Sequence, residues 1–233
     1  ISSCWRILTP PQSPIGRKAI FYSWSVGSIT AADYGDFAFA VTGTSASVTS
    51  QGGSASLFSS AALGTGTTAA GAVTAYFAKT ANTPVFYGNA HLSADFQTAV
   101  ATLSDGTDTY TLIYGLDGAP QTASQQNNSV GFRYSHGLNG GKWQCYVRDN
   151  AGAETTVDAG VSVVAGTPYH LRVEVDESRS EARYYLGDVF VGRITSNMPS
   201  SVACGAAAKI VKSVGTTART MRMHEMSLQA VQN

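Results

Sequence analysis

From Ser129 to Thr195 apolar and polar residues alternate with a period of two in one run after another, separated by short turns. The runs are S-V-G-F-R-Y-S-H (129–136), G-K-W-Q-C-Y-V-R-D (141–149), P-Y-H-L-R-V-E-V-D (168–176), E-A-R-Y-Y-L (181–186) and D-V-F-V-G-R-I-T (188–195). Trp143, Cys145 and Val147 alternate with Lys142, Gln144, Tyr146 and Arg148, which is the pattern of a strand with one buried face. Leu171, Val173 and Val175 repeat it against Arg172, Glu174 and Asp176. The same pattern predicts strands at 20–26, 37–42, 72–79 and 108–116. The run 91–103 also fits helical spacing through Leu92, Phe96, Val100 and Leu103, but its threonines and the following S-D-G-T turn favour strands. Between Gly43 and Gly71 the pattern weakens, and short strands or a long surface loop both satisfy it. Residues 118–128, with Gly-Ala-Pro and a Gln/Asn run, read as a polar loop. Near the C-terminus Met221 and Met223 lie on one parity and Met226 and Leu228 on the other, as for a terminal strand that enters mid-sheet with both faces partly covered.

About a dozen short strands without an intervening helical pattern predict an all-β fold, a two-sheet antiparallel β-sandwich of jelly-roll type. Residues 19–233 are read as a single domain. Residues 1–18, with Pro10, Pro11 and Pro14, read as an extended N-terminal arm or linker. The chain begins at Ile1 without a basic region and apolar run of the signal-peptide type, which leaves open a processed protein or a piece of a longer one.

Charge narrows the function classes. Fifteen basic and fifteen acidic side chains cancel, and charged residues make up 13% of 233. No long-range field steers the chain to nucleic acid or to an anionic membrane, and no window approaches the roughly twenty apolar residues of a spanning helix. Neither nucleic acid nor membrane insertion is therefore expected. Cys4, Cys145 and Cys204 are an odd set without C-x-x-C spacing, which argues against a disulfide framework or structural zinc and fits assembly in a reducing cytoplasm.

The segments G-F-R-Y-S-H-G-L-N-G-G-K-W-Q-C-Y-V-R-D-N, T-V-D-A-G-V-S-V-V-A-G-T-P-Y-H-L-R-V-E-V-D, R-Y-Y-L-G-D-V-F-V-G-R-I-T and I-V-K-S-V-G-T-T-A-R-T-M together resemble the concanavalin A-like lectin/glucanase modules of bacteriophage virion proteins. The resemblance covers the C-terminal half and, by strand order, the whole chain. It implies a sandwich of curved antiparallel sheets set in a tail fibre, baseplate appendage or capsid surface, assembled in the host cytoplasm, and leaves the ligand open.

Glucanases of that superfamily carry Glu, then Asp two residues on, then a second Glu on one strand face. Glu174-Val175-Asp176 matches the first two, but Ser178 and Arg179 stand where the second Glu belongs, and retaining hydrolysis needs two carboxyls about 5 Å apart. No catalytic residue is assigned. His91, His136, His170 and His224 are dispersed, so neither a metal cluster nor a Ser-His-Asp set is built from them. Asp105-Gly-Thr-Asp108 and Asp117-Gly118 read as turns before they read as calcium ligands. The Gly-rich run 64–71 lacks the lysine of a phosphate loop. No cofactor or metal is expected.

Trp143 shares its face with Cys145 and Val147 and reads as core. Tyr134, His136, Asn139 and Tyr146, close around one hairpin, are the candidate rim of a sugar site, where rings stack and amides meet hydroxyls. The leading expectation is a non-catalytic structural protein that docks onto other virion proteins through its arm and forms a homo-oligomer. The alternative is a receptor-recognition module for a host surface glycan.

Overall fold

A computed structural model describes residues 19–25, 37–51, 60–77 and 85–231; the arm predicted for 1–18 lies outside these. The strands in chain order are β1 (Ala19–Ser25), β2 (Phe37–Thr42), β3 (Ser47–Gln51), β4 (Ser60–Gly64), β5 (Ala72–Phe77), β6 (Val85–Phe86), β7 (His91–Val100), β8 (Tyr110–Asp117), β9 (Ser129–Ser135), β10 (Lys142–Arg148), β11 (Glu154–Ser162), β12 (Pro168–Val175), β13 (Ala182–Leu186), β14 (Val189–Ile194), β15 (Ala203–Lys212) and β16 (Thr220–Val231). Among the described residues the helical content is one 3₁₀ turn at Asn139–Gly141.

The strands form two antiparallel sheets packed face to face as a jelly-roll sandwich. The first runs β14-β13-β12-β7-β16-β4-β3, with β1 also on β16; the second runs β11-β10-β9-β8-β15-β5-β2, with β6 also on β15. Every predicted strand has its counterpart, the run 91–103 is extended over His91–Val100, and the weak stretch 43–71 contributes β3 and β4. The edge strand β11 was not separately predicted: its inward Val157 and Ala159 lie among mostly exposed residues.

Alternation places Leu92, Ala94, Phe96, Leu171, Val173 and Val175 from the first sheet against Leu112, Tyr114, Leu116, Val130, Phe132 and Cys145 from the second, all buried. Trp143 is fully buried at the centre, as its alternation predicted. Its ring meets Tyr114 at 5.8 Å, Tyr134 at 6.0 Å and Tyr169 at 5.4 Å, all edge to face, and Tyr114 passes the contact to Phe96 at 5.6 Å. Aromatic pairs favour this geometry because a ring's positive edge meets a negative face. Cys145 and Cys204 are buried free thiols, and burial pushes both well above the ordinary thiol range.

β16 explains its own two-sided pattern. It lies mid-sheet between β7 on one side and β4 and β1 on the other, and its register against β7 shifts between Met223 and Glu225. Met221 and Met223 face the core before the shift, and Met226, Leu228 and Ala230 face it afterwards. A bulge changes the phase of a strand by one residue, so both parities are apolar without both faces being buried along the whole length. Trp143→Ala removes the ring that joins both layers and is expected to cost about 3–5 kcal/mol of stability, read as a lower urea midpoint.

Candidate functional site

The outer face of the second sheet, away from the core, carries a row of small residues between two tyrosines. Pairing register aligns Tyr76, Ala207, Gly115, Gly131 and Tyr146 across five adjacent strands. At the centre β8 and β9 approach so closely that a Cβ on Gly115 would overlap the Val130 carbonyl oxygen, and one on Gly131 the Tyr114 carbonyl oxygen. Only glycine fits both positions. Along this bare floor runs the stem of Lys209, which pairs opposite Ile113 yet reaches Asp117, four residues further along β8. Lys209 Nζ donates to Asp117 Oδ2 at 2.7 Å and to the Ser124 carbonyl at 3.2 Å. The side chains of this pair are 0% and 3% exposed. Burial lowers the Lys209 pKa, against the opposing pull of Asp117. The Ala119 N–H donates to the other Asp117 oxygen.

Lys209 thereby ties down the loop 118–128, and neighbouring groups complete the anchorage. Arg133 donates to Gln125 Oε1 at 3.0 Å, to Gln144 Oε1 at 2.7 Å and to Glu154 Oε1 at 2.6 Å. Where this loop meets the turn 149–153 and the segment 195–202, amide side chains hold the three together. Asn128 Nδ2 donates to Asn150 Oδ1 at 3.1 Å, Asn127 Nδ2 donates to the Asn150 carbonyl at 2.9 Å, and Asn128 Oδ1 accepts from both the Ser200 N–H and its hydroxyl at 2.9 Å. A pocket of about 360 Å³ opens here, lined by Gly118, Ala119, Gln125, Gln126, Asn127, Asn128 and Val202. No lining side chain is ionised. Gln125 is engaged at both ends, with Arg133 and Glu154, as Asn128 is with Asn150 and Ser200, which leaves Gln126 Oε1 and Asn127 Oδ1 as open acceptors. Such uncharged walls suit a hydroxyl-bearing ligand better than an ion, which would lose its hydration without a counter-charge.

A family model described as SO2946-like, C-terminal domain, matches residues 57–224, more than half of the chain. The chain belongs to this SO2946-like family. Among solved structures, the SO2946-like domain is similar to a protein of unknown function, SO2946, from Shewanella oneidensis MR-1, at TM-score 0.58 and 14% identity over 92% of this chain and 87% of that one. It is also similar to peanut lectin, at TM-score 0.59 and 10% identity over 93% and 99%. A third is endo-1,3-β-glucanase from Streptomyces sioyaensis, at TM-score 0.57 and 12% identity over 97% and 100%. These likenesses show the concanavalin A-like fold. A sequence search of curated proteins gave no significant match.

In this SO2946-like domain the four hairpin residues do not share one face. Tyr134 shares its parity with Val130 and Phe132, so it points into the core against Trp143 and Tyr110. Tyr146 does face outward, but Arg133 lies 5.5 Å over its ring and the tyrosine is 1% exposed. His136 is exposed in the turn after β9. Asn139 is engaged at the hairpin tip, where Nδ2 donates to the Trp143 carbonyl and to Asp158 Oδ1, both at 3.0 Å. The residues that do line a pocket were visible only as the polar Gln/Asn run, because nothing local shows which amides a loop turns toward its neighbours.

The carboxylates found in the sequence are engaged elsewhere. Glu174 Oε1 lies 3.3 Å from Arg172 Nε; Asp176 accepts from the Ser178 and Ser180 hydroxyls and from the Glu181 N–H. Asp105 and Asp108 share Arg219 at 2.7 and 3.1 Å. Backbone N–H groups, of Asp108 and Thr107 for Asp105 and of Thr217 for Asp108, hold both carboxyls below their usual range. The turn reading of these aspartates is the one the geometry adopts. Among the described residues no three of His, Cys, Asp and Glu gather where they could hold a metal ion.

Removing one partner of the buried pair leaves an uncompensated charge. Lys209→Met is therefore expected to cost about 3–5 kcal/mol, and Lys209→Met with Asp117→Leu to recover most of it, both read by urea unfolding. A second expectation concerns acid. The Gly160 N–H, the Asn139 amide and the Lys142 ammonium together hold Asp158 at about 2. Its folded value lies below its unfolded one, so its contribution is complete above roughly pH 4 and disappears as pH falls through the folded value. Asp158→Asn should flatten that part of the stability–pH curve, measured by urea midpoints at stepped pH.

Proposed function

We propose that this domain is a non-catalytic glycan-binding module. The observation that carries the reading is the pocket at the meeting of three loops, walled by Gln125, Gln126, Asn127 and Asn128 and free of ionised side chains. The fold it shares with peanut lectin supports it, since sandwiches of this kind present ligand sites on loops held by rigid sheets. The engagement of Glu174 and Asp176 in local ion-pair and turn contacts supports the non-catalytic part. The setting on a bacteriophage particle, docked on other virion proteins and facing a host surface glycan, rests on the sequence resemblance alone and is part of the same proposal.

A glycan array with purified protein tests it. The wild type is expected to bind an uncharged glycan saturably. Ala119→Trp, which fills the pocket without removing a side-chain hydrogen bond, should weaken that binding at least about tenfold, or 1.4 kcal/mol. Equal binding by Ala119→Trp, or no glycan bound by the wild type, overturns the reading; release of reducing ends from a bound polysaccharide overturns its non-catalytic part.

A further inference from the structure

The edge strand of the first sheet turns a phenylalanine outward by means of a register shift. In β14, Ile194 and Gly192 face inward and are buried while Arg193 is exposed, so strict alternation would send Phe190 inward as well. Instead, the pairing of β13 with β14 shifts between Tyr184 and Tyr185, so that Tyr184 sits opposite Gly192 and Tyr185 opposite Phe190. Val191 is the extra residue and packs on the core, and Phe190 emerges 53% exposed. Bulges re-aim side chains, and this one delivers to water a ring that burial would favour.

Phe190 does not stand alone on this face. It meets Tyr185 edge to face at 5.7 Å, and the Arg172 guanidinium lies 4.3 Å over the Tyr185 ring. Register places Phe190, Tyr185, Arg172 and Asp95 in one row across four adjacent strands, about 14 Å at the usual strand spacing. Asp95, Glu174 and Glu181 beside the row each have a nitrogen partner. His170 Nε2 lies 3.1 Å from Asp95 Oδ1, Arg172 pairs with Glu174, and Arg183 and Arg193 both pair with Glu181. Asp95, Glu174, Glu181 and Asp188, the last in the turn two residues before Phe190, make four carboxylates against three guanidinium groups, so the face carries no net positive charge to favour an anionic ligand. Beyond Tyr185 the row is too polar for an apolar protein surface. What remains is an exposed ring at one end of a strip of fixed donors and acceptors, the combination that receives the C–H face and the hydroxyls of a sugar.

We propose that this outer face of the first sheet is a second binding surface, taking a chain of neutral pyranose sugars with Phe190 as its stacking ring. The proposal rests on the glycan-binding reading above but uses none of the pocket residues, which belong to loops beside the other sheet.

Affinity electrophoresis through gels containing a soluble neutral β-glucan, a neutral mannan or anionic alginate tests it. A neutral polysaccharide is expected to retard the wild type. Phe190→Ala should weaken that retardation about tenfold, Phe190→Tyr should retain it, and Ala119→Trp should leave it unchanged. Phe190 lies outside the core, and thermal unfolding checks that Phe190→Ala stays folded. Unchanged retardation of Phe190→Ala, retardation by alginate alone, or none by either neutral polysaccharide overturns the proposal. The two readings separate cleanly, because the array ligand responds to Ala119→Trp and the polysaccharide to Phe190→Ala.

Discussion

The sandwich depends on aromatic contact between its two layers, through a chain centred on Trp143 and a second crossing at Phe132 and Tyr184. Trp143 from the second sheet touches Tyr114 and Tyr134 of its own layer and Tyr169 of the other, and Tyr114 reaches Phe96 across the interface. These rings are large, rigid and edge to face, so they fix the spacing and relative orientation of the layers with little freedom left over. The loops inherit their positions from that frame. The pocket is lined by the loop 118–128 and by Val202 of the segment before β15, and it keeps its shape because the strands that launch these segments are held in register.

The second sheet solves a different problem on its outer face. Its central strands β8 and β15 would present apolar and small residues to water, and the chain covers them with its own loop rather than with a third layer. Burying a lysine carries a desolvation penalty unless the charge is paired and its remaining protons are accepted. Asp117 pairs the charge and the Ser124 carbonyl accepts a second proton, and the glycine floor gives the lysine stem room to lie flat. The result is a loop fastened from beneath, with its amides left to face the turn 149–153 and the pocket.

Two register shifts show the same physical device with opposite results. In β16 the shift restores burial: after it, Met226 and Leu228 take over the core from Met221 and Met223, and a twelve-residue strand follows the curvature of the sheet. In β14 the shift removes a large apolar ring from the interior. Core packing accounts for the first and opposes the second, which is why Phe190 reads as a feature of the surface rather than of the fold.

Alternation of side chains by itself determined the all-β sandwich, because a period of two maps each residue to a face whatever the partner strand. It placed Trp143, Cys145 and Val147 in the core, and the same arithmetic applied to Tyr134 would have removed that residue from the candidate rim. The sequence also marked 118–128 as polar loop and the aspartates of 105–108 as turn residues, since both depend on local hydrogen bonding. Only the tertiary structure decided what covers an outward face, as with Tyr146 beneath Arg133, and which amides converge on a pocket. It alone revealed where alternation breaks, as at His224 and Val191. Those outcomes follow from pairing between strands distant in sequence, where one inserted residue changes the face of everything beyond it, and no local pattern carries that information.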